Sequence, residues 1–83
     1  MESNVFGARL RELRLGKGLT MKEVGNYLHL SEATVSRYES GLMEPKWTTI
    51  QVLAEYFAVN PAWLFGIGEA EKRVKGGETK CQN

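Results

Sequence analysis

Residues 20–41, TMKEVGNYLHLSEATVSRYESG, decide how the rest of the chain is read. Thr20 followed by Glu23 has capping-box spacing, in which each side chain accepts from the other residue's backbone amide at a helix start. Val24 and Leu28 recur at i and i+4 and mark one apolar face. His29 and Leu30 break the pattern, and Ser31 is placed to cap a second helix whose Val35 and Tyr38 share a side. Glycine inside a helix costs roughly 1 kcal/mol against alanine, so Gly25 implies a crossing too close for a side chain. The spacing predicts two short helices, about 21–28 and 31–39, joined by a tight turn. His29 sits in that turn. Histidine tolerates positive φ, and no Cys or carboxylate cluster surrounds it, so turn geometry accounts for it better than ligation or pH sensing.

Outward from this stretch the pattern stays helical. Phe6, Leu10 and Leu13 give an i, i+4, i+7 stripe for a first helix over about 4–15, with Ser3 or Asn4 as its cap. Gly16 and Gly18 stop it, Gly18 in the left-handed conformation. Arg9, Arg11 and Arg14 lie on or beside its polar face, and Arg11 reads as solvated. After the third helix comes a loop, SGLMEPKW at 40–47, in which Pro45 fixes the approach to the next helix. That fourth helix runs over about 48–58, with Trp47, Ile50, Leu53, Ala54 and Phe57 as its core side. Gln51, Glu55 and Tyr56 point outward or toward a partner. Asn60 and Pro61 are a cap and a proline at the first helical position, opening a short fifth helix with Trp63, Leu64 and Phe65, closed by Gly66. The expected fold is all-α, a compact five-helix domain over 1–66. The polar tail, 67–83, is flexible or dimer-supporting: residues 69–75 have room for two helical turns before Gly76 and Gly77, and disorder is the default.

Composition excludes several classes. A chain of 83 residues holds one domain with one core. No apolar run approaches the roughly 20 residues that span a bilayer, and the N-terminus lacks the basic-then-apolar order of a signal peptide. There is no aspartate, one histidine and one cysteine, Cys81, so no catalytic triad, metal cluster or phosphate loop can be assembled. Neither an enzyme, a metal nor a cofactor is expected. The lone cysteine fits a reducing, cytoplasmic setting. Over residues 1–65 the basic groups Arg9, Arg11, Arg14, Lys17, Lys22, Arg37 and Lys46 are matched by Glu2, Glu12, Glu23, Glu32, Glu39, Glu44 and Glu55. The domain body is therefore neutral, and any affinity for nucleic acid depends on where its cations gather.

The central stretch, with LRELR at 10–14 before it and Glu44-Pro45 after it, resembles the DNA-binding domain of the Cro and phage-repressor family. The family's λ-repressor-like fold, with a helix-turn-helix at helices two and three, matches the pattern over about residues 4–66. The resemblance implies that helix three reads the major groove of double-stranded DNA. By position, Glu32, Ala33, Ser36 and Arg37 then face base edges. Arginine suits the O6 and N7 of guanine, glutamate the N4 of cytosine, and an alanine methyl suits thymine. Glu32 reads equally well as a first-turn acid favoured by the helix dipole. The phosphate set carried over is Met21, Lys22, Ser40, Met43 and Lys46. Met21 stands where the family commonly has a glutamine, and methionine cannot donate, so either that contact is missing or helix-start amides or Lys22 take it over. The loop departs from the family too: Leu42, Met43 and Glu44 replace its usual cations. The resemblance also implies a partly buried ion pair between Arg14 and Glu39, and a homodimer formed through helices four and five, with Tyr56, Val59, Ala62 and Phe65 as candidates.

The expected function is a sequence-specific transcriptional regulator, most simply a repressor on a palindromic operator. An antitoxin or adaptor, whose main contact is a protein partner, is the alternative. The neutral charge, Met21 and the apolar Leu42–Met43 pair favour it.

Overall fold

A computed structural model describes residues 5–68 and 70–72. Its elements are α1 (Val5–Gly16), α2 (Met21–Leu28), α3 (Glu32–Ser40), α4 (Trp47–Phe57) and α5 (Pro61–Phe65), with no strand among the described residues. The expected all-α order is present, with bounds shifted by a residue or so. Glu2, Ser3, Asn4, Gly76, Gly77 and Cys81, singled out in the sequence, lie outside the described residues.

Helix starts follow from side chains that accept the first free amides. Thr20 Oγ1 accepts from the Glu23 amide at 3.0 Å, and Glu23 Oε1 accepts from the Thr20 amide at 2.8 Å, completing the capping box. Ser31 accepts from the Thr34 amide at 3.1 Å to start α3. Asn60 accepts from the Ala62 amide at 2.9 Å to start α5, with Pro61 in its first turn. Only Lys46 stands before α4 and provides no side-chain acceptor, so the first amides of that helix stay open.

All five helices end in one way. A left-handed residue follows each: Gly18 (φ 70°), His29 (61°), Gly41 (84°), Ala58 (58°) and Gly66 (93°). The next amide then donates to a carbonyl five residues back, at 2.8–3.0 Å: Leu19 to Arg14, Leu30 to Gly25, Leu42 to Arg37, Val59 to Ala54, Ile67 to Ala62. Every residue making this bond is apolar. Leu19, Leu30 and Val59 reach the core, whereas Leu42 and Ile67 are 79% and 49% exposed.

The core joins Phe6 and Leu10 of α1, Val24 of α2, Val35 and Tyr38 of α3, and Ile50, Leu53, Ala54 and Phe57 of α4, with Val59, Trp63 and Leu64. Phe6 and Tyr38 meet edge to face at 5.8 Å. Trp47 is a correction. It sits at the first turn of α4, rotated off the buried side, is 46% exposed, and packs edge to face on Phe65 at 6.3 Å. Gly25 has its packing reason, but the close neighbour is the turn itself: a Cβ there would lie 2.7 Å from the Leu30 carbonyl oxygen. Residues 70–72 are not helical and lie against α1 and α5. The Lys72 carbonyl accepts from the Asn60 amide at 2.7 Å, its ammonium stands 3.2 Å from Glu12, and Ala70 packs against the core.

Candidate nucleic-acid interface

The helical period of α3 separates two sets of side chains. Val35, Tyr38 and Glu39 are buried, while Glu32, Ala33, Ser36 and Arg37 all face solvent. The exposed set is the one expected to meet base edges, and nothing within the described fold covers it.

The buried set holds α3 in place. Arg14 Nε donates to Glu39 Oε2 at 2.6 Å and Nη2 to Oε1 at 3.0 Å, a two-pronged pair with both residues 8% exposed. The third guanidinium nitrogen, Nη1, donates to the Leu19 carbonyl at 2.9 Å. One side chain therefore ties α3 to α1 and to the turn before α2. The hydrogen bond that Arg14 donates to the Glu39 carboxylate raises the Arg14 pKa above its ordinary value despite the opposing effect of burial. A charged pair this dry requires both members, since removing either leaves a buried charge without its counterion.

The phosphate candidates divide. Lys22 and Lys46 are exposed and free to reach a backbone. Met21 is half-buried; its value lies in its amide, one of the first-turn donors of α2 that no helical carbonyl can take. Ser40 is already donating, to the Arg37 carbonyl at 3.3 Å. Met43 does not fit the role: its amide donates to the same carbonyl at 3.3 Å, and a thioether has no proton to give. Instead the Met43 side chain lines a groove with Phe65. Around α2, α3 and the following loop, Lys22, Arg37 and Lys46 are exposed beside the equally exposed Glu23, Glu32 and Glu44. The charge balance of the whole domain is thus repeated among these exposed residues.

Three of the dimer candidates keep some surface. Phe65 is 42% exposed, and Tyr56 and Ala62 are half-buried, Tyr56 with its ring 4.1 Å from that of Tyr27. Val59 is a correction: at 7% exposure it is a core residue, drawn in by the bond that closes α4. His29 adopts positive φ as expected.

Sequence reading missed the packing of Arg9. Its guanidinium lies 4.5 Å from the Trp63 ring centre and donates to the Trp63 carbonyl, while Lys72 approaches the same ring at 5.2 Å. No local pattern signals a contact between residues so far apart in sequence. Among the described residues no group of three or more His, Cys, Asp or Glu is placed to hold a metal, and no helix is long and apolar enough to cross a membrane.

Comparison with known proteins places this geometry. The model of a helix-turn-helix domain family matches residues 5–63. The chain is 32% identical over 65 residues to the cryptic phage CTXphi transcriptional repressor RstR of Vibrio cholerae, covering 78% of this chain and 59% of that protein. It is 31% identical over 68 residues to the transcriptional regulator ImmR of Bacillus subtilis, covering 82% of this chain and 54% of that one. It thus spans little more than half the length of these relatives. Among solved structures, the restriction-modification controller protein C.AhdI of Aeromonas hydrophila superposes with a TM-score of 0.68 at 33% identity, over 78% of this chain and all of that one. The P22 c2 repressor, solved with a synthetic operator, shares the fold at a TM-score of 0.70 and 21% identity, over 75% of this chain and 94% of its own. The relatives are regulators, not catalysts. By the family match and the exposed, anchored α3, the chain belongs to the helix-turn-helix family of Cro and phage-repressor type transcriptional regulators.

Proposed function

We propose that this regulator is a repressor that occupies a palindromic operator as a homodimer, with α3 of each copy in the major groove. The observation that carries the reading is the division of α3. Glu32, Ala33, Ser36 and Arg37 are exposed together on a helix capped by Ser31 and held from behind by the Arg14–Glu39 pair. A reading helix needs its backbone fixed before its side chains can discriminate bases. Lys22, Lys46 and the open amides of α2 and α4 supply phosphate contacts that set the register. The half-sites then lie about one helical turn apart. Such a protein works where the DNA is, in the cytoplasm of a bacterial cell.

The test is selection from a random-sequence duplex library at near-physiological salt, followed by sequencing of the bound fraction. A palindrome with fixed half-site spacing is expected. Arg37→Ala should then relax the preference at one G·C pair per half-site, at a cost of about 1–3 kcal/mol for that contact. Unchanged preference at every position removes Arg37 from base readout. Recovery of no motif, with binding that merely fades as salt rises, rejects the operator reading in favour of a protein partner.

A further inference from the structure

The chain does not leave the domain where α5 ends. The Ile67 carbonyl accepts from the Ala70 amide at 3.2 Å, and residues 70–72 run back to the start of α5. Ala70 packs against the core, and the Lys72 carbonyl accepts from the Asn60 amide at 2.7 Å. The Lys72 ammonium meets two partners, Glu12 at 3.2 Å and the Trp63 ring at 5.2 Å. Both charge-dependent contacts thus converge on one atom, Nζ. Asn60 is the cap of α5, so its own amide lies outside that helix and takes its acceptor from the returning strap.

We propose that residues 70–72 are a latch held shut by the Lys72 ammonium, and that loss or screening of this one charge frees the strap from α1 and α5 while the reading helix stays in place. Strength is the first argument. The Lys72 and Glu12 side chains are 44% and 59% exposed, against 9% and 4% for Arg14 and Glu39. An ion pair so open to water and a cation–π contact at the surface each shift an equilibrium by about two- to fivefold, so the strap is held but not locked. Position is the second. Glu12 and Arg14 are two residues apart on a helix of about 3.6 residues per turn, so they leave α1 on nearly opposite sides. One side grips α3 and the other grips the strap. Opening therefore leaves the Arg14–Glu39 anchor untouched. Trp63 supplies the third. It is buried, and Arg9 lies over its ring and donates to its carbonyl, so α5 keeps its seat on α1 without Lys72. The latch sets where the chain beyond residue 72 departs, beside Glu12 when shut and from the end of α5 when open. It is independent of the operator reading above, since no contact in it involves α3.

Amide hydrogen exchange on the full chain, without DNA, tests the latch, because the Asn60 amide loses its acceptor when the strap opens. Lys72 is distant from Asn60 in sequence, so a substitution there leaves the intrinsic rate of that amide alone. Lys72→Gln should speed Asn60 exchange by about three- to thirtyfold, the combined scale of one exposed ion pair and one surface cation–π contact. Lys72→Arg keeps the charge and should stay within about twofold of wild type. The Val35 and Tyr38 amides of α3 should keep their wild-type rates in both variants. Raising the salt should speed Asn60 exchange in wild type and much less in Lys72→Gln. Lys17→Gln removes an exposed charge of the same sign elsewhere and should leave Asn60 as it is. Equal Asn60 rates in Lys72→Gln and wild type overturn the proposal, since the charge then holds nothing. Equal acceleration at Asn60, Val35 and Tyr38 overturns it too, because the strap then opens only with the whole domain. The same effect from Lys17→Gln, or a wild-type rate indifferent to salt, also removes Lys72 from the role.

Discussion

The turn between α2 and α3 and the loop between α3 and α4 start from the same chemistry and end in opposite environments. Each helix closes on a left-handed residue, His29 or Gly41, and each following leucine amide bonds to a carbonyl five residues back. After His29 the chain turns straight into the Ser31 cap, and Leu30 packs against the core. After Gly41 it runs on through residues 42–46 without regular structure, and Leu42 stays in water. The difference lies in what stands behind each turn. Gly25 lets α2 approach the carbonyl of Leu30 so closely that the turn is clamped. Behind the loop is an open groove. Local hydrogen bonding thus sets how a helix stops, and neighbouring bulk sets whether the next apolar residue is buried.

The largest expected effect comes from removing the anchor that both regions share. Arg14→Met deletes the two-pronged partner of buried Glu39 and releases the Leu19 carbonyl. It should cost about 3–5 kcal/mol in urea unfolding, enough to threaten a domain of this size. Replacing Glu39 by Met as well removes the stranded charge and should restore much of the loss. A single variant as stable as wild type would show that the pair contributes little to holding α3. Gly25→Ala comes next. Its Cβ meets backbone, which cannot rotate away, so strain of about 1–3 kcal/mol should exceed the roughly 1 kcal/mol gained in helix propensity. A Tm equal to or above the wild-type value would mean that the turn can open without cost, and the contrast with the loop would weaken.

How much of this was legible in the sequence depended on distance along the chain. The capping box at Thr20, the caps at Ser31 and Asn60, and left-handed Gly18 and His29 are contacts within a few residues, and the residue types announce them. Solvent-facing Glu32, Ala33, Ser36 and Arg37 follow from one helical period. The Arg14–Glu39 pair came from family resemblance, since no spacing rule joins those positions. What escaped was rotation and docking. Trp47 looked like core by type, but its place in the first turn of α4 swings it outward. Val59 looked available because nothing local shows that the closing bond of α4 draws it inward. Ala58 gives no compositional sign of a left-handed residue, and Lys72 returns to Glu12 and Trp63 from the far end of the chain.

The smallest expected effect separates the two closing residues themselves. His29 at φ 61° has a Cβ in the left-handed region, where an L residue is strained by roughly 1–2 kcal/mol, less for side chains that tolerate it. His29→Gly removes that strain and adds unfolded-chain entropy worth about 0.4–1 kcal/mol, so stability should change little or rise slightly. Gly41→Ala runs the exchange backward at φ 84°, gaining the entropy and taking on the strain, for a net loss of about 1 kcal/mol. Paired thermal melts make the comparison, because each variant is the other's control for the glycine entropy. If Gly41→Ala is neutral while His29→Gly destabilises, the histidine side chain contributes more than φ tolerance, and the turn is held by a contact as well as by geometry. If both follow the expected signs, the clamp at Gly25 alone accounts for the burial of Leu30, and the exposure of Leu42 is a property of the open groove beside it rather than of its turn.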